Sequence, residues 1–311
     1  MKALKGLLFL STTATALINT PCGKRLKECV REAPQQSIIT FSSSNEAHDF
    51  NILHHNGTIE KYTVPQSCHD YFNTLAPKKQ PLQQKTPNLP TSSTVPNGWI
   101  ESAGVYRMDP TNTIHSFDAS WTVPSKPKSP QRPETLYYFI GLEDRTQGKF
   151  TTIHQPVLTW GDQTEGGLYS NEWHLWSWTC CPKNLTWHSP DIAGFQPGDT
   201  IYGEITKIDA ETWKINGGWK ESNGTWHNTT LLSQVGGYNY NYADVTLEVY
   251  NITDCEQMSN GDVLFEDLHL TTDHGTKEWD PPMWYVSGFP SSCHTTLKMN
   301  NSNHSMIISS E

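Results

Sequence analysis

From residue 99 onward the chain is a succession of short runs rich in β-branched and aromatic residues, separated by turn residues at spacings near ten. The runs are Ser116 to Val123, Thr135 to Leu142, Thr151 to Trp160, Glu172 to Cys180, Asp199 to Ile208, Trp213 to Gly218, Ala243 to Tyr250, Val263 to Thr271 and Met283 to Val286. Spacing of this kind predicts an all-β domain, a two-sheet antiparallel β-sandwich of jelly-roll type. Pro197, Gly198 and Asp199 supply one turn signal, and Asn216, Gly217 and Gly218 another. Alternation is clearest in Ala243 to Tyr250. There Val245, Leu247 and Val249 point to one side, and Asp244, Thr246, Glu248 and Tyr250 to the other. The first side is core; the polar side is either a solvated convex surface or the lining of a concave groove. In Thr151 to Trp160, Ile153, Gln155, Val157 and Thr159 share a face opposite His154, Leu158 and Trp160. A Gln flanked by apolar neighbours on its own face needs partners for its amide.

Composition agrees with strands: 20 Pro, 21 Gly, 12 Trp and 12 Tyr, with only 17% charged residues, exclude coiled coils and helical bundles. Upstream the pattern changes. Lys2 and Lys5 precede an apolar stretch from Gly6 to Ile18, and Ala14, Thr15 and Ala16 form a small-x-small cleavage pattern, so residues 1–16 read as a secretory signal peptide. Between Pro77 and Pro96 lie five prolines, no aromatic residue and no periodic apolar face, the composition of an extended linker. The linker separates a pro-like, poorly ordered N-terminal segment, 17–98, from the domain at 99–311, and processing is expected between Lys78 and Gly98.

Secretion fits the Asn-x-Ser/Thr acceptors at Asn56, Asn184, Asn223, Asn228, Asn251, Asn300 and Asn303. It also allows oxidised cysteines. Of the seven, Cys22, Cys29 and Cys68 lie in the N-terminal third, and pairing is expected to respect that division, with Cys255 to Cys293 the favoured bridge. Adjacent Cys180 and Cys181 are expected to have separate partners or to be free thiols. Residues 21–98 carry eight Lys and Arg against six Asp and Glu, and residues 99–311 carry twelve against twenty-six. A domain at -14 repels nucleic acid, whose binding requires cations to displace counterions from phosphate. No segment after the N-terminus is long and apolar enough for a membrane-spanning helix, so no membrane association is expected, and the protein is expected to act as a monomer.

Six segments resemble the eqolisins, secreted glutamic peptidases, in the family's order: FDASWTVP (117–124), YFIGLED (138–144), IHQPVLTWGD (153–162), EWHLWSW (172–178), FQPGDTI (195–201) and ADVTLEVY (243–250). The resemblance implies a lectin-like (concanavalin-like) sandwich with a catalytic Gln and Glu on neighbouring strands, which fall at Gln155 and Glu248. Glu143, with Asp244 on the face of Glu248, takes a supporting place. Phe139 stands where the eqolisins have a Trp on the substrate side, and Leu175 where they have a Glu. The implied chemistry is acid-acting hydrolysis of a polypeptide by Gln155 and Glu248, without metal or cofactor: a carboxylate takes a proton from water and an amide N–H supports the oxyanion.

A second reading is a catalytically inactive lectin-like module that binds carbohydrate or protein, with Trp160, Trp176 and Trp178 as the ligand-facing aromatics. Retaining or inverting glycosidase chemistry is disfavoured because Asp244 and Glu248 lie roughly 13 Å apart along one strand. No Gly-x-Ser-x-Gly elbow is present, and no Cys-x-x-Cys or paired-His spacing suggests zinc.

Overall fold

The protein is described by a computed structural model over residues 17–41, 49–75, 95, 97–106, 113–131, 133–145, 152–161, 170–234, 236–273, 284–288, 293–300 and 304–310. Its first third holds β1 (Leu17–Thr20), β2 (Gly23–Leu26), β3 (Val30–Glu32), β4 (Ile38–Phe41), β5 (Asp49–Leu53), β6 (Ile59–Thr63) and helix α1 (Gln66–Leu75). Then come β7 (Gly98–Tyr106), β8 (Ile114–Thr122), β9 (Thr135–Asp144), β10 (Thr152–Trp160), β11 (Trp173–Cys180), β12 (Thr186–His188) and β13 (Ile192–Ala193). The remainder is β14 (Thr200–Lys207), β15 (Thr212–Lys220), β16 (Trp226–Gln234), β17 (Tyr242–Tyr250), β18 (Gly261–Thr272), β19 (Tyr285–Gly288), β20 (Thr296–Asn300) and β21 (Ser305–Ser310).

Two large sheets pack face to face. The first runs β19-β7-β17-β9-β10-β11-β12-β3, with β13 on β11; the second runs β20-β21-β18-β8-β14-β15-β16-β4-β5-β6. Pairing is antiparallel except at β12 with β3 and β16 with β4, where the N-terminal segment joins each sheet in parallel. Between the sheets lie Val245, Leu247, Val249, Leu158, Trp121 and Phe265, all buried. The expected runs from Ser116 to Thr271 each overlap a strand over their described residues, whereas Met283 to Val286 meets a strand only at Tyr285 and Val286, with Met283 outside the described residues. β7 and β16 were not legible, because GWIESAGVY has no clean alternation and WHNTTLLSQ buries only small or isolated residues such as Thr229, Leu231 and Ser233.

Over its described residues the N-terminal segment adds strands to both sheets: β3 extends one, and β4, β5 and β6 extend the other, satisfying edge hydrogen bonds that the domain alone would leave open. One expectation needs correction. Cysteine pairing crosses the expected division. Cys29 pairs with Cys68 and Cys255 with Cys293, but Cys22 pairs with Cys180, leaving Cys181 as a buried free thiol. Trp160 packs in the inter-sheet core, its indole Nε1 donating to Glu134 Oε1 at 3.0 Å, and it lines a cavity with Lys126, Trp173 and Phe195 that is separate from the one beside Glu248. The Pro-rich stretch lies almost wholly outside the described residues.

Candidate active site

A second, smaller apolar cluster sits on the opposite face of the first sheet, formed by Tyr137, Phe139, Ile153, Val157, Trp176, Trp178, Cys180 and Tyr250, with Ile18 and Val30 from the N-terminal segment. Period-two alternation puts Gln155, Glu143, Asp244 and Glu248 on this same face. All four are buried, so the polar side of β17 is a covered surface.

Gln155 and Glu248 do not come from neighbouring strands. β9 lies between them, pairing with β10 on one side and β17 on the other. Sheet order cannot be deduced from strand pattern, which is why the expectation failed. Along β9, Glu248 sits opposite Tyr137 and Asp244 opposite Gly141. The absence of a side chain at Gly141 matters: a Cβ there would stand 2.8 Å from Asp244 Oδ2 and 2.7 Å from Ile153 Cδ1. Asp244 therefore leans over β9 toward β10. Leu175 faces the inter-sheet core, so its departure from the eqolisin pattern removes no polar neighbour from this face.

The carboxylates are held in two ways. Arg145 binds Glu143 through both Nε and Nη2, the latter donating to Oε1 at 2.8 Å, and its guanidinium lies 3.7 Å from the Tyr242 ring centroid. Burial, reinforced by the charge of Glu143, pushes the Asp244 carboxyl well above its ordinary range, and its Oδ1 accepts from Thr246 Oγ1 at 2.8 Å. Tyr250 donates its hydroxyl proton to Glu248 Oε1. Burial raises Glu248 to about 8, and Tyr250, Trp99 and the charge of Arg25 offset only part of that. Arg145, Trp99 and Tyr250 escaped the sequence reading. Arg145 carried one usable signal, its i, i+2 spacing from Glu143.

What covers this face is the hairpin of β1 and β2. Gln155 Nε2 donates to the main-chain carbonyl of Pro21 at 2.8 Å and lies 3.4 Å from Cys180 Sγ. Cys22 is bonded to Cys180, Arg25 Nη2 donates to Cys181 Sγ at 2.9 Å, and Asn19 Nδ2 donates to Thr135 Oγ1 at 3.1 Å. Beside the hairpin tip remains a cavity of about 300 Å³, lined by Pro21, Cys22, Trp99, Glu143, Arg145 and Glu248 among others. Phe139 makes an edge contact with Trp99, their ring centroids 5.8 Å apart. Trp176 and Trp178 share the site face but are buried, and His188 packs against both.

These groups set a pH dependence of stability. Glu248 and Glu101, raised by burial to about 8 and about 7, contribute stability that is complete below the ordinary carboxyl range and lost as pH rises through those values. His154 and His188, lowered by burial to about 3 and about 4, act oppositely: their contribution is complete above the ordinary imidazole value and lost as pH falls toward 4 and then 3. The melting temperature is expected to peak between roughly pH 5 and 6.5 and to fall on both sides, with Glu248→Gln flattening the alkaline limb and His154→Phe the acid limb. A melting temperature that keeps rising toward pH 9 would contradict this.

Two sheets packed face to face, with a covered polar face over the central strands of one of them, make an antiparallel β-sandwich whose fold has solved counterparts. A solved structure of scytalido-glutamic peptidase bound to a peptide-based transition-state analogue is similar over 70% of this chain and 100% of its own, with a TM-score of 0.50 and 14% identity. SCP-B, an eqolisin in complex with the tripeptide Ala-Ile-His, matches over the same shares with a TM-score of 0.46 and 14% identity. No protein-family model and no curated protein sequence matches the chain.

Proposed function

We propose that the protein is a secreted, acid-acting endopeptidase in which Gln155 and Glu248 activate water against a peptide carbonyl. One observation carries this reading: the Gln155 amide already donates to a peptide carbonyl, that of Pro21, beside a cavity that Glu248 lines. In the reaction, Glu248 as carboxylate accepts a proton from water while the water oxygen bonds to the carbonyl carbon. Gln155 Nε2 donates to the oxygen as it gains negative charge. Protonated Glu248 then returns the proton to the amide nitrogen, the C–N bond breaks, and the products are a carboxylic acid and an amine. Glu143, held by Arg145, and Asp244 serve as the fixed acidic floor. Displacing the hairpin hydrates Glu248 and lowers its pKa toward the carboxylate range, which a base working in acid requires.

Asp244 lies nearer to Gln155 in register than Glu248 does, but it lines no part of the cavity that Glu248 lines. Asp244→Asn is thus expected to leave turnover within a few-fold of wild type, whereas Gln155→Ala is expected to cost a factor of about 10² to 10³ in kcat. The comparison is read from cleavage of a denatured protein at about pH 3 to 5. The reverse ranking would make Asp244 the base.

The peptidase reading is favoured over sugar binding by the contact of Gln155 with a peptide carbonyl, whereas Trp160 packs between the sheets and Trp176 and Trp178 are buried on the site face. Glycosylation is proposed at the exposed acceptors Asn56, Asn223, Asn228 and Asn300. Asn184 and Asn251 are half-buried with their amide nitrogens bonded to His69 and to the Pro133 carbonyl, and Asn303 lies outside the described residues.

A further inference from the structure

Resting on that reading of the site, we infer that the Leu17–Leu26 hairpin is a built-in inhibitor whose tip occupies the substrate position and whose closure is latched by the Cys22–Cys180 disulfide. The tip is presented as a substrate carbonyl would be, because the Pro21 oxygen takes the proton of the Gln155 amide. It is poorly disposed to be cut. Thr20 pairs with Gly23, so Pro21 and Cys22 are the two residues of a tight turn, and Thr20 Oγ1 closes it by donating to the Gly23 carbonyl at 2.6 Å. An extended strand, which a peptidase groove takes up, cannot form there while the turn and the disulfide persist.

Connectivity makes the disulfide the latch. A cut anywhere in 76–94 separates the pro-like segment from the domain along the backbone, yet residues 17–75 stay covalently bound through Cys22 and Cys180. β3 and β4 also stay paired with β12 and β16. Even a cut just after Leu26 leaves the hairpin attached, because Cys22 lies within it. The adjacent pair Cys180 and Cys181 thus grips the hairpin twice, one sulfur bonded to Cys22 and the other accepting from Arg25.

Acid alone does not spring the latch. With Arg25, Glu143 and Tyr250 facing it, Glu248 holds a proton in the closed state that it releases more readily once hydrated, so lowering the pH favours closure. Opening requires a dithiol reductant. Its two thiols give up two electrons and two protons and become a disulfide, while Cys22 and Cys180 each take up one of those electrons and protons to become thiols.

The test compares three forms of the full chain: oxidised wild type, wild type nicked within 76–94, and the double variant Cys22→Ser/Cys180→Ser. Turnover is measured on a denatured protein at about pH 5, and binding by calorimetry with a peptide whose central amide is reduced to an amine. The nicked form is expected to run as one band without reductant and to stay as inactive as the intact one. Loss of the latch is expected to raise turnover and peptide affinity by about 10²-fold, the low end of what an intramolecular tether contributes. Should the double variant not fold, wild type is titrated with a dithiol and its opened cysteines mapped by alkylation. Activity and affinity should then follow Cys22 and Cys180 rather than Cys29, Cys68, Cys255 or Cys293. Peptide affinity that rises without turnover would uphold the latch and refute the peptidase. Equal turnover and affinity in all three forms, or no binding in any, would overturn the latch.

Discussion

Glu248→Gln in the unlatched protein is expected to lower peptide cleavage by roughly 10² to 10⁴, the usual scale for loss of a general base, with little change in KM. Gln keeps the shape of Glu and can still accept the Tyr250 hydroxyl, so the fold around β17 should be retained. What is lost is the proton acceptor. A readout on kcat as a function of pH separates this from damage to the site: the residual activity of the variant should lose the limb that rises with ionisation of Glu248. Cleavage within a few-fold of wild type would remove Glu248 from the chemistry.

Arg145→Ala is expected to have the largest effect on stability, about 3 kcal/mol, the lower end of the range for breaking a buried ion pair because the guanidinium keeps 23% of its exposure. Glu143 is fully buried and would lose both guanidinium bonds, with Asp244 directly opposite Gly141 on the next strand. The stacked face of Tyr242 would be uncovered as well. Chemical denaturation at about pH 7 measures the loss. Glu143→Gln combined with Arg145→Ala should recover part of it, because the stranded charge is gone; no recovery would mean that packing on Tyr242, rather than the ion pair, is what the arginine supplies.

The sandwich was legible because alternation in segments such as Ala243 to Tyr250 is a local property. Val245, Leu247 and Val249 are core, and nothing beyond their own strand was needed to see it. Alternation also groups Asp244 with Glu248, and Gln155 with Ile153 and Val157. It is silent on what lies above those faces. The cover over Gln155 comes from Pro21, 134 residues earlier, and the bridge that fixes it joins residues 158 apart. Likewise no property of β10 or β17 alone reveals that β9 lies between them. The place of Trp160 between the sheets was not legible for a related reason. On an alternating strand a Trp marks a face, and only the partner sheet decides whether that face is core or groove.

Water attack assisted by Gln155 and Glu248 is tested most directly by digestion of a denatured protein in ¹⁸O-labelled water at about pH 3 to 5. The unlatched protein is used with pepstatin present, and the new C-termini are read by mass spectrometry. The prediction is pepstatin-insensitive cleavage with one labelled oxygen at each new carboxylate, reduced to background in the Gln155→Ala/Glu248→Gln double variant. Undiminished cleavage by that double variant, or no cleavage by the unlatched wild type at any acidic pH, would contradict it.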